Sequence, residues 1–325
     1  MLSRLANSLY WMSRYLERVG NTARLLNINL LNMLEDEEAQ GAAVQWRPLL
    51  AITGTEELFL EEDAERAVTA ESAIRFMTQE RANPSAIHTS LRLARENARV
   101  VRDRISKEMW ECINDFWLRI DRYLERPLAI NKALDFFAFV GHEVARFHGV
   151  AAGTMMRGEA YSFYLLGTLL ERSDMTARIL DVKYHTLLPD ISLVGTPLDY
   201  YQWKVLLETL SGLEAYRRNY HNALQPVDVA AFVIGEENFP RSLRFAAERM
   251  CDALRTIGCR PGDCQVRDAM GAVQDMVIRF SAEDVVVKIG LHEFLEQYLE
   301  RIAALHEAIA HEYFEAYLGM EICDT

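Results

Sequence analysis

The sequence carries two copies of one pattern, and this repeat is the feature that most constrains its fold. Residues 8–26 read SLYWMSRYLERVGNTARLL, and residues 162–180 read SFYLLGTLLERSDMTARIL. At an offset of 154 (171 − 17), the identical pairs include Tyr10/Tyr164, Leu16/Leu170, Glu17/Glu171, Arg18/Arg172, Thr22/Thr176, Ala23/Ala177 and Arg24/Arg178. Self-similarity of this kind is typical of a structural unit that has been copied within one chain.

Further matching blocks follow in the same order in both halves. They are Gln45-Trp46 with Gln202-Trp203, Leu49-Leu50 with Leu206-Leu207, Phe76, Glu80 and Pro84 with Phe232, Glu236 and Pro240, and Ser90-Leu91-Arg92 with Ser242-Leu243-Arg244. We therefore predict an internally duplicated helical bundle with two similar halves, 1–157 and 158–325, related by a pseudo-twofold. Each half is expected to hold about four to six helices, and the pattern leaves open whether the halves form one bundle or two lobes.

The spacing of apolar residues predicts an all-α fold. A stripe at alternating three- and four-residue spacing comprises Leu5, Leu9, Met12, Leu16, Val19, Ala23, Leu26 and Leu30. The last segment has a similar stripe, formed by Leu291, Phe294, Leu295, Tyr298, Ile302, Leu305, Ile309 and Phe314. Asn83 and Thr196, each followed by a proline, are predicted N-caps with the proline at the first helical position. Sustained strand alternation is missing from the sequence.

Charge and composition exclude several classes of protein. The 325 residues include 35 basic and 48 acidic ones, which gives a net charge of −13 and repels phosphate, so we expect no nucleic-acid partner. No apolar run approaches the roughly 20 residues that span a bilayer, and the first segment carries too many charges for a signal peptide. Five cysteines do not make a disulfide framework in a chain of this length. We expect a soluble cytoplasmic protein without a membrane partner.

A polar strip accompanies the first apolar stripe and is partly repeated in the second copy. The first copy has Arg14, Glu17, Asn21 and Arg24 at i, i+3, i+7 and i+10, with Arg18 about 100° round the helix. The second copy retains Glu171, Arg172 and Arg178, has Thr168 and Met175 in place of Arg14 and Asn21, and gains Asp174 one turn before Arg178. These residues are candidate ligand-binding residues.

Two interpretations of these Glu-Arg pairs stay open at this stage. In the structural one, which we prefer, the pairs cross-link helices inside each bundle, because a buried charge must be paired or hydrogen-bonded. In the functional one, the pseudo-twofold brings the two pairs together to line one cleft for an anionic or peptide-like ligand.

A second basic strip follows Pro84. Arg92, Arg95, Arg99 and Arg102 again have the spacing i, i+3, i+7 and i+10, and four guanidinium groups on one helix face are candidates for binding a carboxylate or phosphate. The alternative that we prefer is that they neutralise glutamates of the first helix or of other helices.

The sequence predicts neither a metal site nor a cofactor. The Glu-x-x-His pairs of di-iron bundles are missing, and His142-Glu143 is not followed by a histidine at the spacing of a zinc helix. Cys259 and Cys264 flank Arg260-Pro261-Gly262 and are interpreted as a turn between helices. Nucleotide-binding glycine loops and the nucleophile elbow are missing too. The five tryptophans sit among apolar neighbours and are expected in the core.

Several of these motifs resemble one bacterial family. They are Leu2-Ser3-Arg4, Arg14-Tyr15-Leu16-Glu17-Arg18, Asn21-Thr22-Ala23-Arg24, Asn83-Pro84-Ser85, Ala94-Arg95-Glu96-Asn97-Ala98-Arg99, Glu108-Met109-Trp110-Glu111, Leu170-Glu171-Arg172 and Phe239-Pro240-Arg241-Ser242. Together they closely resemble the alpha-E family, a helical domain of unknown function named for a Glu-Arg motif. The resemblance covers nearly the whole chain, with Tyr161 where members often have tryptophan.

The resemblance implies an all-helical, intracellular bacterial protein that accompanies a circularly permuted ATP-grasp protein. It also implies transglutaminase-like and proteasome-like peptidases nearby, and so an amide-bond-forming or peptide-tagging system. The family offers no catalytic residues to carry over. We therefore expect a non-catalytic helical partner of an ATP-grasp amidoligase, or alternatively an enzyme acting on a small peptide or amino acid through a Glu/Arg-lined cleft.

Overall fold

The computed structural model describes residues 1–35, 42–61, 67–186, 196–221, 224–258, 265–282 and 290–315. Within these ranges the chain forms fourteen α-helices and no strand, so the all-α prediction is confirmed. The helices are α1 (Ser3–Glu35), α2 (Ala42–Ile52), α3 (Glu56–Glu61), α4 (Ala70–Thr78), α5 (Ile87–Val100), α6 (Lys107–Tyr123), α7 (Ile130–Thr154), α8 (Glu159–Thr186), α9 (Pro197–Thr209), α10 (Leu213–Asn219), α11 (Pro226–Gly235), α12 (Leu243–Ile257), α13 (Gln265–Ile278) and α14 (Leu291–Tyr313). Cys259 and Cys264 lie outside the described residues.

The two predicted apolar stripes are buried. All eight residues of the α1 stripe belong to the core, and so do seven of the eight in the last segment. The exception, Phe314, follows the end of α14 and is half-buried. Burial of a continuous stripe explains why helices as long as 33 residues form here, since packing rather than intrinsic propensity supplies most helix stability.

Contacts divide the chain into two compact units. One consists of Ser8–Thr168, and the other combines Met1–Asn7 with Leu169–Thr325. In the first unit α5 packs on α6 and α6 packs on α7; in the second, α12 packs on α13 and α13 packs on α14. The predicted boundary between repeats, at 157/158, stays a prediction.

Each predicted half contains seven described helices, which is more than the four to six expected. The additional helices are short ones, α3 and α10, that follow sharp turns. Gly54 between α2 and α3 has φ 64°, and Ser211 between α9 and α10 has φ 54°. A residue in the left-handed region ends the preceding helix and redirects the chain, so one amphipathic run becomes two helices.

One of the two predicted N-caps is correct. The side chain of Thr196 accepts a hydrogen bond from the backbone of Asp199, and Pro197 is the first residue of α9. Asn83 is not an N-cap, because α5 begins only at Ile87. Its amide group instead donates to the Phe76 carbonyl, and its Oδ1 accepts from the Ser85 backbone. Asn83 therefore stabilises the turn between α4 and α5.

Candidate functional site

A carboxylate, an imidazole and a phenol from three helices meet inside the Ser8–Thr168 unit. Glu17 of α1 is only 2% exposed, and its Oε2 lies 3.2 Å from Nε2 of His148 on α7. The opposite ring atom, Nδ1, lies 2.6 Å from the hydroxyl oxygen of Tyr164 on α8, which is also buried. These three side chains form the candidate site.

The two contacts of the imidazole differ in kind. The short distance to Tyr164 is that of a hydrogen bond, in which the proton can lie on either atom according to the tautomer of His148. The Nε2 atom lies within ion-pair distance of Glu17 but has no hydrogen-bond partner among the described residues. A protonated imidazole here would be attracted to the buried carboxylate, and the arrangement places groups that exchange protons side by side.

Close helix packing positions this cluster. A Cβ atom added at Gly167 of α8 would lie 2.2 Å from both the Ser13 Oγ and the Tyr10 carbonyl oxygen of α1. A Cβ at Gly20 of α1 would lie 3.0 Å from a methyl group of Val144 on α7. Small residues therefore let α7 and α8 approach α1 on either side of Glu17.

The other predicted residues of α1 lie beside the cluster. The guanidinium of buried Arg14 lies 4.9 Å from the centre of the Trp11 ring and donates to the Tyr10 hydroxyl. Half-buried Arg18 lies 5.6 Å from the Tyr15 ring centre.

Asn21 and Arg24 form a local pair on the same helix. Asn21 is buried and its Oδ1 accepts a hydrogen bond from half-buried Arg24. This contact between positions i and i+3 occupies one polar group of each side chain within α1.

The second copy of the motif lies on α8, in the other unit. Glu171 is 3% exposed. Arg172 donates to the carbonyl of Pro240, and the nearby Thr176 hydroxyl donates to the carbonyl of Arg241. The arginine of this motif therefore links α8 to the turn that precedes α12.

Asp174 and Arg178 make the intrahelical pair that their spacing predicts. The two guanidinium nitrogens lie 2.9 and 3.3 Å from the two carboxylate oxygens. This pair is partly exposed, and such pairs stabilise a helix only modestly.

Burial of Glu17 and Glu171 favours the structural interpretation of the Glu-Arg motif. One contact of Glu17 is with His148, which sequence analysis did not select as a site residue. No local spacing could reveal it, because the two residues are far apart in the chain. The proposed cleft shared by the two Glu-Arg pairs stays a prediction.

The basic strip lies on α5 and the turn after it. α5 ends at Val100, so Arg102 belongs to the turn and not to the helix as its spacing predicted. The turn forms because the Val101 amide bonds back to both Asn97 and Ala98 while its carbonyl accepts from Arg104 and Ile105.

Among the described residues, the strip makes no ion pair with a glutamate of α1 or of another helix, so the alternative that we preferred is wrong for this part of the chain. Arg95 donates to Asn114 of α6 and, with Arg99, pairs with Glu96 on its own helix. Arg92 is exposed and makes no ion pair with any described residue. The side chains lie toward α6 and solvent, because the apolar face of α5 fills the core.

Three of the five tryptophans are not in the core. Trp46 and Trp203 are fully buried, whereas Trp11, Trp110 and Trp117 are half-buried. The guanidinium of Arg102 lies 4.8 Å and that of Arg95 5.7 Å from the centre of the Trp110 ring. His88 lies 4.8 Å from the ring of Trp117.

Sequence analysis did not predict a charge network between α6 and α7 that is centred on buried Glu143. Glu143 is 7% exposed and pairs with Arg119 at 2.8 Å and with Arg146 at 2.6 Å. Asp115 lies 3.3 Å from Arg146, and burial raises the pKa of the adjacent Cys112 thiol. The signal available in the sequence was a glutamate placed inside the apolar stripe of α7, where an unpaired charge is costly.

A polar contact joins α8 to α14 in the second unit. Nδ1 of His292 lies 2.7 Å from Oδ1 of Asp181, and this hydrogen bond raises the pKa of the imidazole. Tyr298 of α14 is fully buried, which raises the pKa of its phenol. The contact between His292 and Asp181 helps to fix the register of the two helices.

Three further features of the described residues concern metal binding, membrane insertion and a surface cavity. These residues contain no group of three His, Cys, Asp or Glu side chains that could hold a metal ion. No described helix combines the length and the apolar character needed to cross a membrane. An open cavity of about 190 Å³ is lined by Tyr220, Glu236, Arg244 and Phe280, together with small apolar residues, and by none of the predicted site residues.

Comparison with known families identifies the class of this chain. Residues 1–314 match the family Alpha-E, described as a predicted alpha-helical domain with a conserved ER motif. Because the match covers more than half of the sequence, the chain belongs to the Alpha-E family.

Comparison with curated proteins finds longer relatives. A protein of Mycobacterium bovis and one of Mycobacterium tuberculosis, both described as uncharacterized, are each 21% identical to it over 323 residues. The matches cover 94% of this chain but only 35% of each relative, so the chain spans about a third of the length of these relatives. No solved structure matches the chain.

Proposed function

We propose that the protein is a non-catalytic helical subunit that binds a partner or substrate in an ATP-grasp, amide-bond-forming system. The observation that carries this proposal is the burial of the family's motif carboxylates, because Glu17 and Glu171 are 2% and 3% exposed. A carboxylate that acts on a substrate must be reachable by it. Buried Glu17 beside His148 instead joins α1 to α7.

The length of the relatives supports a role beside another domain. In the two mycobacterial proteins about two thirds of the chain lies outside the match, so an Alpha-E region there is part of a larger protein. The identity of the partner comes from the family resemblance, which implies a circularly permuted ATP-grasp protein. A transglutaminase-like protein is the second candidate partner that the resemblance implies. We propose a cytoplasmic location on the same ground.

We further propose that the chain is an internal duplication. The order and lengths of the helices support it: α1 to α7 have 33, 11, 6, 9, 14, 17 and 25 residues, and α8 to α14 have 28, 13, 7, 10, 15, 14 and 23. Each short third helix also follows a residue with positive φ, Gly54 in one half and Ser211 in the other.

A second candidate function is an enzyme acting on a small peptide or amino acid. The observation that favours it is the series Glu17, His148 and Tyr164, since a carboxylate beside an imidazole that contacts a phenol can move a proton. In this alternative the imidazole, which is 24% exposed, is the group that reaches the substrate.

The proposed function is tested by co-expression with the ATP-grasp protein of the same organism. At about 10 μM, a concentration at which interfaces of micromolar affinity are occupied, the two proteins should elute as one complex in size-exclusion chromatography. Separate elution would contradict the proposal.

Substitution of the motif carboxylates separates the two candidate functions. Glu17→Gln and Glu171→Gln should lower the free energy of unfolding. The rate of a reconstituted ligase reaction should decrease only in proportion to the fraction of the protein that is unfolded. A variant that retains full stability but abolishes turnover by the isolated protein would instead support the enzyme.

A further inference from the structure

The face formed by α5 and α6 combines arginines and tryptophans at helical spacing. On α5 and the turn after it, His88, Arg92, Arg95, Arg99 and Arg102 recur at three- and four-residue intervals. On α6 the matching residues are Trp110, Asn114, Trp117 and Asp121. We call these nine residues the Trp–Arg face.

Contacts across the two helices show that these residues form one surface. Arg95 donates to Asn114 at 2.9 Å, and His88 lies 3.3 Å from Asp121. Arg95 and Arg102 both lie against Trp110, and His88 lies against Trp117. Eleven residues separate Trp110 from Asp121, so the face extends roughly 16 Å along the helix at 1.5 Å per residue.

The Trp–Arg face is positive on a negative chain. It carries four guanidinium groups and only two carboxylates, those of Asp121 and the adjacent Glu96. The whole chain, by contrast, has a net charge of −13. Arg99 is 67% exposed and Arg92 is exposed, so both can approach a second molecule without first being uncovered. Local reversal of the overall charge favours an acidic partner.

The aromatic residues of this face are already held in place. Two guanidinium groups lie against the ring of Trp110, and Asn114 and Glu96 fix the position of Arg95. Side chains ordered before binding lose less entropy when a partner arrives. Tryptophan and arginine are also the residue types that most often dominate the energy of protein interfaces.

From this charge and composition we propose that the Trp–Arg face docks an acidic amphipathic helix of a partner protein, about three turns long. Its carboxylates would pair with Arg92 and Arg99, and its apolar residues would cover Trp110 and Trp117. This inference deepens the proposed function, because it rests on the chain working through a protein partner.

A single-stranded nucleic acid fits this face less well than a peptide. Stacking aromatics and arginines are common to both kinds of site. A continuous phosphate backbone, however, would also meet Glu96 and Asp121, in addition to the negative field of the whole chain. A helical peptide places its carboxylates only where the guanidinium groups lie.

Fluorescence anisotropy of a labelled peptide tests the proposal. The probe is a 15-residue helix, which at about 22 Å is slightly longer than the face, with glutamates along one side and leucines along the other. The full-length protein should bind it in low salt and release it as the salt concentration rises. Arg92→Glu with Arg99→Glu should weaken binding by about tenfold or more.

Matched controls assign the effect to this face. Arg122→Glu with Arg126→Glu makes the same change in charge at two exposed positions outside the face and should leave affinity within about twofold. Circular dichroism checks that both double variants fold. Equal weakening by the two pairs would overturn the proposal, and so would equal binding of a peptide with glutamines in place of its glutamates. Tighter binding of a 15-nucleotide single-stranded DNA would overturn it in favour of nucleic acid.

The outcome is independent of the test of the proposed function. If the ATP-grasp protein fails to co-elute while the peptide binds as described, the docking face stands and the proposed partner is wrong. If the peptide does not bind and the Arg92/Arg99 variant still co-elutes with the ATP-grasp protein, the docking face is wrong and the proposed function stands.

Discussion

His148 and Tyr164 are joined by a contact of 2.6 Å between Nδ1 and the phenol oxygen, and the other side of the same imidazole faces buried Glu17. Each of the three groups comes from a different helix, α1, α7 or α8. The stability of this junction therefore depends on polar contacts as well as on the surrounding apolar side chains. This arrangement makes the individual contacts measurable by substitution.

Tyr164→Phe should lower the free energy of unfolding by about 1 to 3 kcal/mol, because it removes the partner of His148 Nδ1 and keeps the aromatic ring. Urea denaturation followed by circular dichroism measures the change. Tyr161→Phe is the matched control: Tyr161 is half-buried and its described contacts are made by its ring, so the loss should stay below about 0.5 kcal/mol. Equal losses in the two variants would contradict the role given to the Tyr164 hydroxyl.

Glu17→Ala should destabilise the protein by about 1 to 3 kcal/mol, because it removes a buried polar group that joins α1 to α7. A double-mutant cycle with His148→Ala isolates the contact between the two residues, and its coupling free energy should be about 1 to 3 kcal/mol. Additive losses in the cycle would show that the carboxylate and the imidazole act independently.

Local periodicity predicted the helices of this protein well, because burying an apolar stripe is a property of each segment by itself. The eight residues of the α1 stripe are all buried, as predicted. The spacing of the arginines predicted that α5 continues through Arg102, but the helix ends at Val100. The backbone turn at Val101 does not change that spacing, so the sequence pattern could not reveal it.

The candidate site was only half predictable. Glu17 was selected for its place in the repeated motif, whereas its partner His148 lies on a helix distant in sequence and at the edge of an apolar stripe. Pairing between distant segments depends on how helices pack, which a single sequence does not encode locally. The network around Glu143 was missed for the same reason, since Arg119 lies on another helix.

The contact between His292 and Asp181 should make stability depend on pH. The hydrogen bond to Asp181 raises the pKa of His292 in the folded protein, so the folded state holds this proton more tightly than the unfolded state does. Its stabilisation is complete below the unfolded pKa of about 6.5 and is lost as the pH rises through the raised folded value. Glu293 and Glu296 act in the same direction.

Chemical denaturation of the wild type and of His292→Gln between about pH 5.5 and 8.5 checks this dependence. The difference in stability between the two proteins should be largest at the acid end and should decrease toward the alkaline end. His311→Gln makes the same substitution at an exposed position on the same helix and serves as the control. A difference for His292→Gln that grew with pH would contradict the assigned direction.

Gly167→Ala should be strongly destabilising, because α8 approaches α1 more closely at this position than a side chain permits. The added Cβ would lie 2.2 Å from the Ser13 Oγ, which can rotate away, but also 2.2 Å from the Tyr10 carbonyl oxygen, which cannot move without shifting the helix. We expect a loss of about 1 to 3 kcal/mol, typical of forcing extra atoms into a packed interior. Gly149→Ala on α7 is the matched control: a Cβ there meets nothing within 4 Å, so the same substitution should stabilise the helix by about 0.5 to 1 kcal/mol. Opposite signs for the two substitutions would show that the approach of α8 to the Tyr10 carbonyl, rather than the helical preference of alanine, decides the outcome. A gain in stability at Gly167 would mean that the two helices are not in contact there.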